Sequence, residues 1–213
     1  MTLTFPTFTA GMLLSMSLIM AIGPQNAHVL RMGLQRQHLW LTVVVCALAD
    51  IALISLGVLG LAQLGGLSDK LLGALIGAGV LFLGVYGWQA FQRFLRPQQL
   101  AVLKTNDGQT RQAPPPVSQR QAILSALAFS WLNPHAWLDT AVLIGTASLA
   151  YGQGSTAFGL GAATGSLVWF LLLGAAAFWL GRRLNSLHIW RVLDGAVALM
   201  MWGTAGWLLS SLV

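Results

Sequence analysis

Apolar residues along this chain come in long unbroken runs rather than in alternation with polar ones. Six runs stand out, at 7–30, 39–62, 71–92, 121–149, 157–180 and 190–211. About 20 apolar residues in a helix match a bilayer core of about 30 Å. Continuous runs favour helices over a barrel, whose strands would alternate. The pattern predicts an all-α membrane protein with six transmembrane helices. "QLGGLSDK" at 63–70 marks a tight turn between the second and third runs. The first run has no Lys- or Arg-bearing flank and further long runs follow it, so it is expected to remain as a span rather than leave as a signal peptide.

The one long polar stretch is 93–120, "RFLRPQQLAVLKTNDGQTRQAPPPVSQR". Its Asn-Asp-Gly and triple proline predict a flexible cytoplasmic linker. It separates residues 1–92, a first three-helix unit, from residues 121–213, a second. An odd number of spans in each half turns the halves over relative to one another, so the expected architecture is two inverted three-helix repeats.

Charge orients this arrangement. The chain is 56% hydrophobic and only 8% charged, where a soluble domain averages about 25%; lipid must be its main solvent. Its eleven Lys and Arg outnumber five Asp, and there is no Glu. Arg31 and Arg36 follow the first run, and Arg93, Arg96, Lys104, Arg111 and Arg120 follow the third. Arg182, Arg183 and Arg191 lie between the fifth and sixth, leaving Lys70 alone on the other side. The positive-inside rule puts these alternate loops in the cytoplasm and both termini outside. Short basic loops between spans also explain the net charge of +6 without nucleic acid as a partner.

Two polar interruptions carry the chemistry. "AIGPQNAHVL" breaks the first run and "SWLNPHAWLD" the fourth. Pro24 and Pro134 cannot donate a helical hydrogen bond and clash with the preceding turn. The carbonyls so freed need partners inside the protein, and Gln25, Asn26, Asn133 and His135 stand beside them, with Gly23 next to the first break. One break alone reads equally well as a kinked helix. Breaks in corresponding spans of two halves are the pattern of a transporter site, with helix ends facing a cavity.

Asp50 and Asp139 are the acids well inside the runs. An aspartate at a helix centre costs about 2.5–3.5 kcal/mol on insertion scales. No Lys or Arg lies near the middle of any run to neutralise either. The expected counter-charge comes from outside the chain, as a cationic substrate, a proton, or each in turn. His135 precedes Asp139 by four residues, so a regular helix would put them on one face. Asp194 is expected to form an interfacial salt bridge with Arg191, Arg182 or Arg183.

Other features point away from catalysis and metals. Cys46 is the only cysteine, which excludes an intramolecular disulfide or a CxxC redox pair. The four histidines lack metal-site spacing, and no cofactor is expected. Ser130 near His135 is the one candidate nucleophile pair, with nothing to orient it, so the protein is not expected to be an enzyme. "GALIG" at 73–77 and "GAATG" at 161–165 are GxxxG motifs, suited to close helix contact within a bundle or in a homo-oligomer. Trp131 and Trp137 flank the fourth-run break, where lining a cavity, with cation–π contact to a guanidinium, and packing against lipid are both open readings.

"GPQNAHVLRMGLQRQ", an aspartate in the second run and "WLNPHAWLDT" together resemble the LysE family of amino-acid exporters, most nearly its arginine-exporter branch. The similarity runs over nearly the whole chain, with the linker least alike. It implies an inner-membrane exporter of L-arginine or L-lysine and gives functional weight to Asp50 and Asp139. Exchange for protons is the expected coupling, since moving a cation out against an inside-negative potential costs about 2.3 kcal/mol per charge per 100 mV. Export of neutral amino acids, or of a divalent metal cation, is the alternative.

Overall fold

The computed structural model describes residues 4–21, 23–61, 69–95, 101–104, 110–113, 116–183 and 187–210. The first run is two helices rather than one: α1 (Thr4–Ile19) and α2 (Pro24–Gln35) meet at 74°. Gly23 adopts an extended backbone and Pro24 opens α2 at its first turn, where its missing N–H costs nothing. Next, α3 (Leu39–Leu56) runs on into a π-helical turn at Gly57–Leu61, and α4 spans Asp69–Leu95.

The fourth run is broken too. A capping box, in which Ser118 and Gln121 each bond the other's backbone N–H, starts α5 (Gln119–Trp131). After the break at Leu132 and Asn133, the short α6 (Pro134–Ala136) passes through a π-helical stretch, Trp137–Leu143, into α7 (Ile144–Leu149). Two long helices, α8 (Ser155–Arg183) and α9 (Leu187–Ser210), complete the bundle. The stretch expected to be a flexible linker carries a small antiparallel ribbon, β1 (Ala101–Lys104) on β2 (Thr110–Ala113). Its Asn-Asp-Gly lies outside the described residues.

The helices pair mainly through small residues. α1 lies along α8 and α4 along α9, each pair in contact over much of its length. A Cβ on Gly11 would strike the Phe158 carbonyl, and one on Gly161 the Phe8 carbonyl, so backbone lies directly on backbone there. The 161–165 GxxxG is thus spent inside the bundle. A Cβ on Gly73 or Gly77 would meet nothing within 4 Å among the described residues, so these two glycines make no comparably close approach there.

Apolar side chains also cover the outside: Leu81 is 72% exposed and Leu199 73%. Such a surface in water would be a large uncovered patch; lipid is its natural solvent. By length and apolarity Leu39–Gly60 and Gly152–Gly181 can each cross a membrane, and the bent α1–α2 pair adds a third if counted as one span. The protein is therefore a multi-pass helical membrane protein.

Candidate functional site

Both breaks open into one cavity of about 310 Å³, a size at the small end for binding pockets. From the first break, Gly23, Pro24, Gln25 and Asn26 line it, and from the second, Asn133 and His135. Asp50 of α3 and Asp139 of the π-helical stretch complete the polar wall. Pro134 sits behind it, its ring against α4 where only Gly79 leaves room.

The polar residues of the first break divide their work. Asn26 reaches back with its amide to the carbonyls of Ile19 (2.7 Å) and Ala21 (2.9 Å), which the end of α1 leaves without helical partners. Its carbonyl accepts from the Trp169 indole of α8 at 3.3 Å. Asn26 thus closes the break it stands in. Gln25 turns the other way: its amide donates to Asp50 Oδ1 (3.0 Å) and to Ser130 Oγ (2.9 Å). Asp50 Oδ2 accepts from Ser166 of α8 at 3.2 Å.

The Asp50 carboxylate is buried yet faces the cavity, held by two neutral donors. Neutral donors orient it without cancelling its charge. Asn133 does the converse at the second break, its side-chain oxygen accepting from the His135 N–H at 3.2 Å and so capping the start of α6.

His135 and Asp139, one helical turn apart, meet at 3.3 Å between Nε2 and Oδ2. The His135 ring stands edge-on to Trp207 of α9, 5.8 Å between centroids. Neither Trp131 nor Trp137, for which the sequence leaves both readings open, lines the cavity. Trp137 donates its indole N–H to the Trp131 carbonyl (2.9 Å), and the two rings pack on each other. Trp207 takes the place at the cavity, with Thr204 of the same helix and Thr140. Thr140 ends the "WLNPHAWLDT" motif beside Asp139, and Trp207 near a span end reads from sequence as an interfacial anchor; Thr204 had no local signal. Ser166 had none either.

Ser130 forms no nucleophile–base pair. Its hydroxyl donates to the Ala126 carbonyl (2.9 Å) and accepts from Gln25. Among the described residues no group of three His, Cys, Asp or Glu side chains gathers to hold a metal ion. Asp194 does form salt bridges, with partners distant in sequence: its Oδ1 binds Arg31 and Arg93, each at 3.1 Å, while the side chains of Arg182 and Arg183 lie outside the described ones. The chain fold brings α2 and α4 to α9 there, whereas sequence neighbours suggested Arg191.

A polytopic membrane protein with two broken helices opening onto a carboxylate-lined cavity has the build of a membrane transporter. The LysE type translocator family model matches residues 16–212, and the chain belongs to that family. It is 36% identical over 206 residues to the arginine exporter protein ArgO of Pectobacterium carotovorum, covering 94% of this chain and 95% of that protein. ArgO of Serratia proteamaculans is 36% identical over 202 residues, covering 93% of each. The lysine exporter LysE of Corynebacterium efficiens is 34% identical over 218 aligned positions, covering 93% of this chain and 96% of that protein. No solved structure matches the chain.

Proposed function

We propose that the protein exports basic L-amino acids, arginine or lysine, from the cytoplasm in exchange for protons. One observation carries this reading: among the described residues the cavity wall holds Asp50 and Asp139 and no Lys or Arg. Two carboxylates, one of them partnered by His135 alone, are a site for a cation from outside. The substrate's side-chain cation meets these acids. Its α-carboxylate lies against the N-terminus of α2, where unpaired N–H groups and the helix dipole favour negative charge. With Asn26 engaged by the backbone and the Gln25 amide nitrogen by Asp50 and Ser130, Asp50, His135 and Asp139 are the groups that read the substrate and carry the proton, and Gln25 and Asn133 support them in the wall. A carboxylate that binds the cation when ionised and releases it when protonated couples the two flows, and one proton in for one Arg⁺ out is electroneutral.

Six spans arranged as two inverted repeats fit this reading. α1 packs on α8 and α3 on α5, so the first span of each half lies on the second span of the other, while α4 lies on α9. A twofold relation between halves has that contact pattern. The basic loops then face the cytoplasm and both termini the periplasm. A reporter fused after Val213 that is active only in the periplasm should report strongly, and a silent fusion would reverse the orientation.

The direct test is efflux of preloaded radiolabelled arginine from proteoliposomes, with and without an imposed pH gradient. Efflux that rises with a gradient driving protons inward supports the exchange. Efflux indifferent to the gradient keeps the substrate and removes the coupling. Movement of leucine or of a divalent metal in place of arginine would sink the substrate assignment.

A further inference from the structure

A second cavity, of about 210 Å³, lies further along the bundle towards the basic loops. His28, Arg31 and Gln35 of α2 face it, with Tyr86 and Arg93 of α4 and Ser125 of α5. It is displaced along the helix axes from the first cavity. Asn26 and Arg31, one in each wall, are five residues apart on α2, or about 7.5 Å. On α5, Phe129 falls between Ser125 of the second cavity and the break at Asn133 of the first. The Phe129 ring stacks on His28 (4.6 Å between centroids) and meets Tyr86 edge-on (4.6 Å). It packs against two residues of the second cavity, on the stretch of α5 that leads to the first.

The charge of the second cavity is unbalanced. Arg31 and Arg93 both bond one oxygen of one carboxylate, Asp194 Oδ1. Their side chains are only 20% and 18% exposed, so water compensates the second positive charge poorly. The other lining groups named above are neutral donors and acceptors, with no second carboxylate among them. His28 is 8% exposed, and its Nε2 has no hydrogen-bond partner. A guanidinium has five N–H donors in a planar fork suited to a carboxylate, and a single bond to Asp194 leaves most of them to spare.

We propose that this second cavity is a carboxylate-binding site in which Arg31 and Arg93 hold the α-carboxylate of an amino acid on its path to the first cavity. The proposal rests on the export reading for its occupant. The two cavities then read opposite ends of one molecule: Arg31 and Arg93 select the carboxylate at entry, and Asp50 and Asp139 take the cationic end beyond Phe129. A dicationic amine without a carboxylate would gain nothing from Arg31 and Arg93 at the first step and so be a weaker substrate, although it suits the acids of the main cavity.

The test compares L-arginine with L-argininamide, which keeps both cationic groups and lacks the carboxylate, in proteoliposomes of wild type, Arg93→Gln and Arg93→Lys. Arg93→Gln leaves Asp194 paired with Arg31, so the buried carboxylate keeps a partner. The KM for arginine is expected to rise about tenfold in Arg93→Gln, the scale of one charge-assisted hydrogen bond. The KM for argininamide should change less than twofold, and Arg93→Lys should recover part of the arginine affinity. Equal loss for both compounds, or no change for either, would overturn the proposal.

The export reading fails separately, if wild-type vesicles move neither arginine nor lysine. Thermal unfolding of the purified protein with acetate or chloride then decides the site alone. Protection by acetate, absent in Arg93→Gln, keeps a carboxylate site. Equal protection by chloride, or none by either, rejects it.

Discussion

Asp50→Asn is expected to lower arginine export by about 10- to 100-fold while leaving folded protein in the membrane. The range follows from about 1.5–3 kcal/mol for a hydrogen bond to a charged group. The substitution isolates charge from structure. An asparagine carbonyl still accepts from Gln25, and its amide faces the Ser166 hydroxyl, which can turn to accept. The links from α3 to α2 and α8 therefore persist. What disappears is the one fully buried negative charge facing the main cavity and the only group there, besides the His135–Asp139 pair, able to exchange a cation for a proton. Asp50→Ala would be a poorer probe because it also strands Gln25 and Ser166. The measurement is the initial rate of arginine efflux from proteoliposomes holding equal amounts of monodisperse protein. Full export by Asp50→Asn would remove this carboxylate from the mechanism.

Gly161→Val should have the largest effect on stability. Its Cβ would collide with the Phe8 carbonyl of α1, and Gly165 lies on Met12 of the same helix. A side chain can turn away from an added methyl group, but a helix backbone cannot. The helices must separate along their whole contact, at or above the upper end of the ~1–3 kcal/mol seen for overpacked cores. Because Leu18 and Ile19 near the end of α1 line the main cavity, a displaced α1 deforms the site as well. Gly84→Val is the control, since a Cβ added there would meet nothing within 4 Å among the described residues. In detergent, Gly161→Val should aggregate at temperatures that leave wild type and Gly84→Val monodisperse on size exclusion. Matching melting profiles for all three would mean that α1 and α8 do not depend on this approach.

Much of the candidate site could be read from residue type alone, because the bilayer makes polar groups expensive. Pro24, Pro134, Asp50 and Asp139 stand out in an apolar chain for the same reason that they are rarely found there without partners. The roles within that set were less legible. Asn26 and Gln25 are adjacent and chemically alike. Only the 74° turn between α1 and α2 sends one amide back to the α1 carbonyls and the other to Asp50. Trp131 and Trp137 flank a break in sequence and bond each other, whereas Trp207, some seventy positions away, reaches the cavity.

Taken by itself, the sequence determined the solvent, the helical class, the places where helices break and the sign of the charge that needs a partner. Each follows from the local cost of putting a residue into hydrocarbon. Tertiary structure alone decided who meets whom: that both breaks share one cavity, that Ser166 holds Asp50, and that Asp194 joins Arg31 to Arg93 rather than to Arg191. These contacts join residues as far as 163 positions apart in sequence. They are set by how closely small residues let helix backbones approach, a property of two surfaces together that neither run of sequence carries alone.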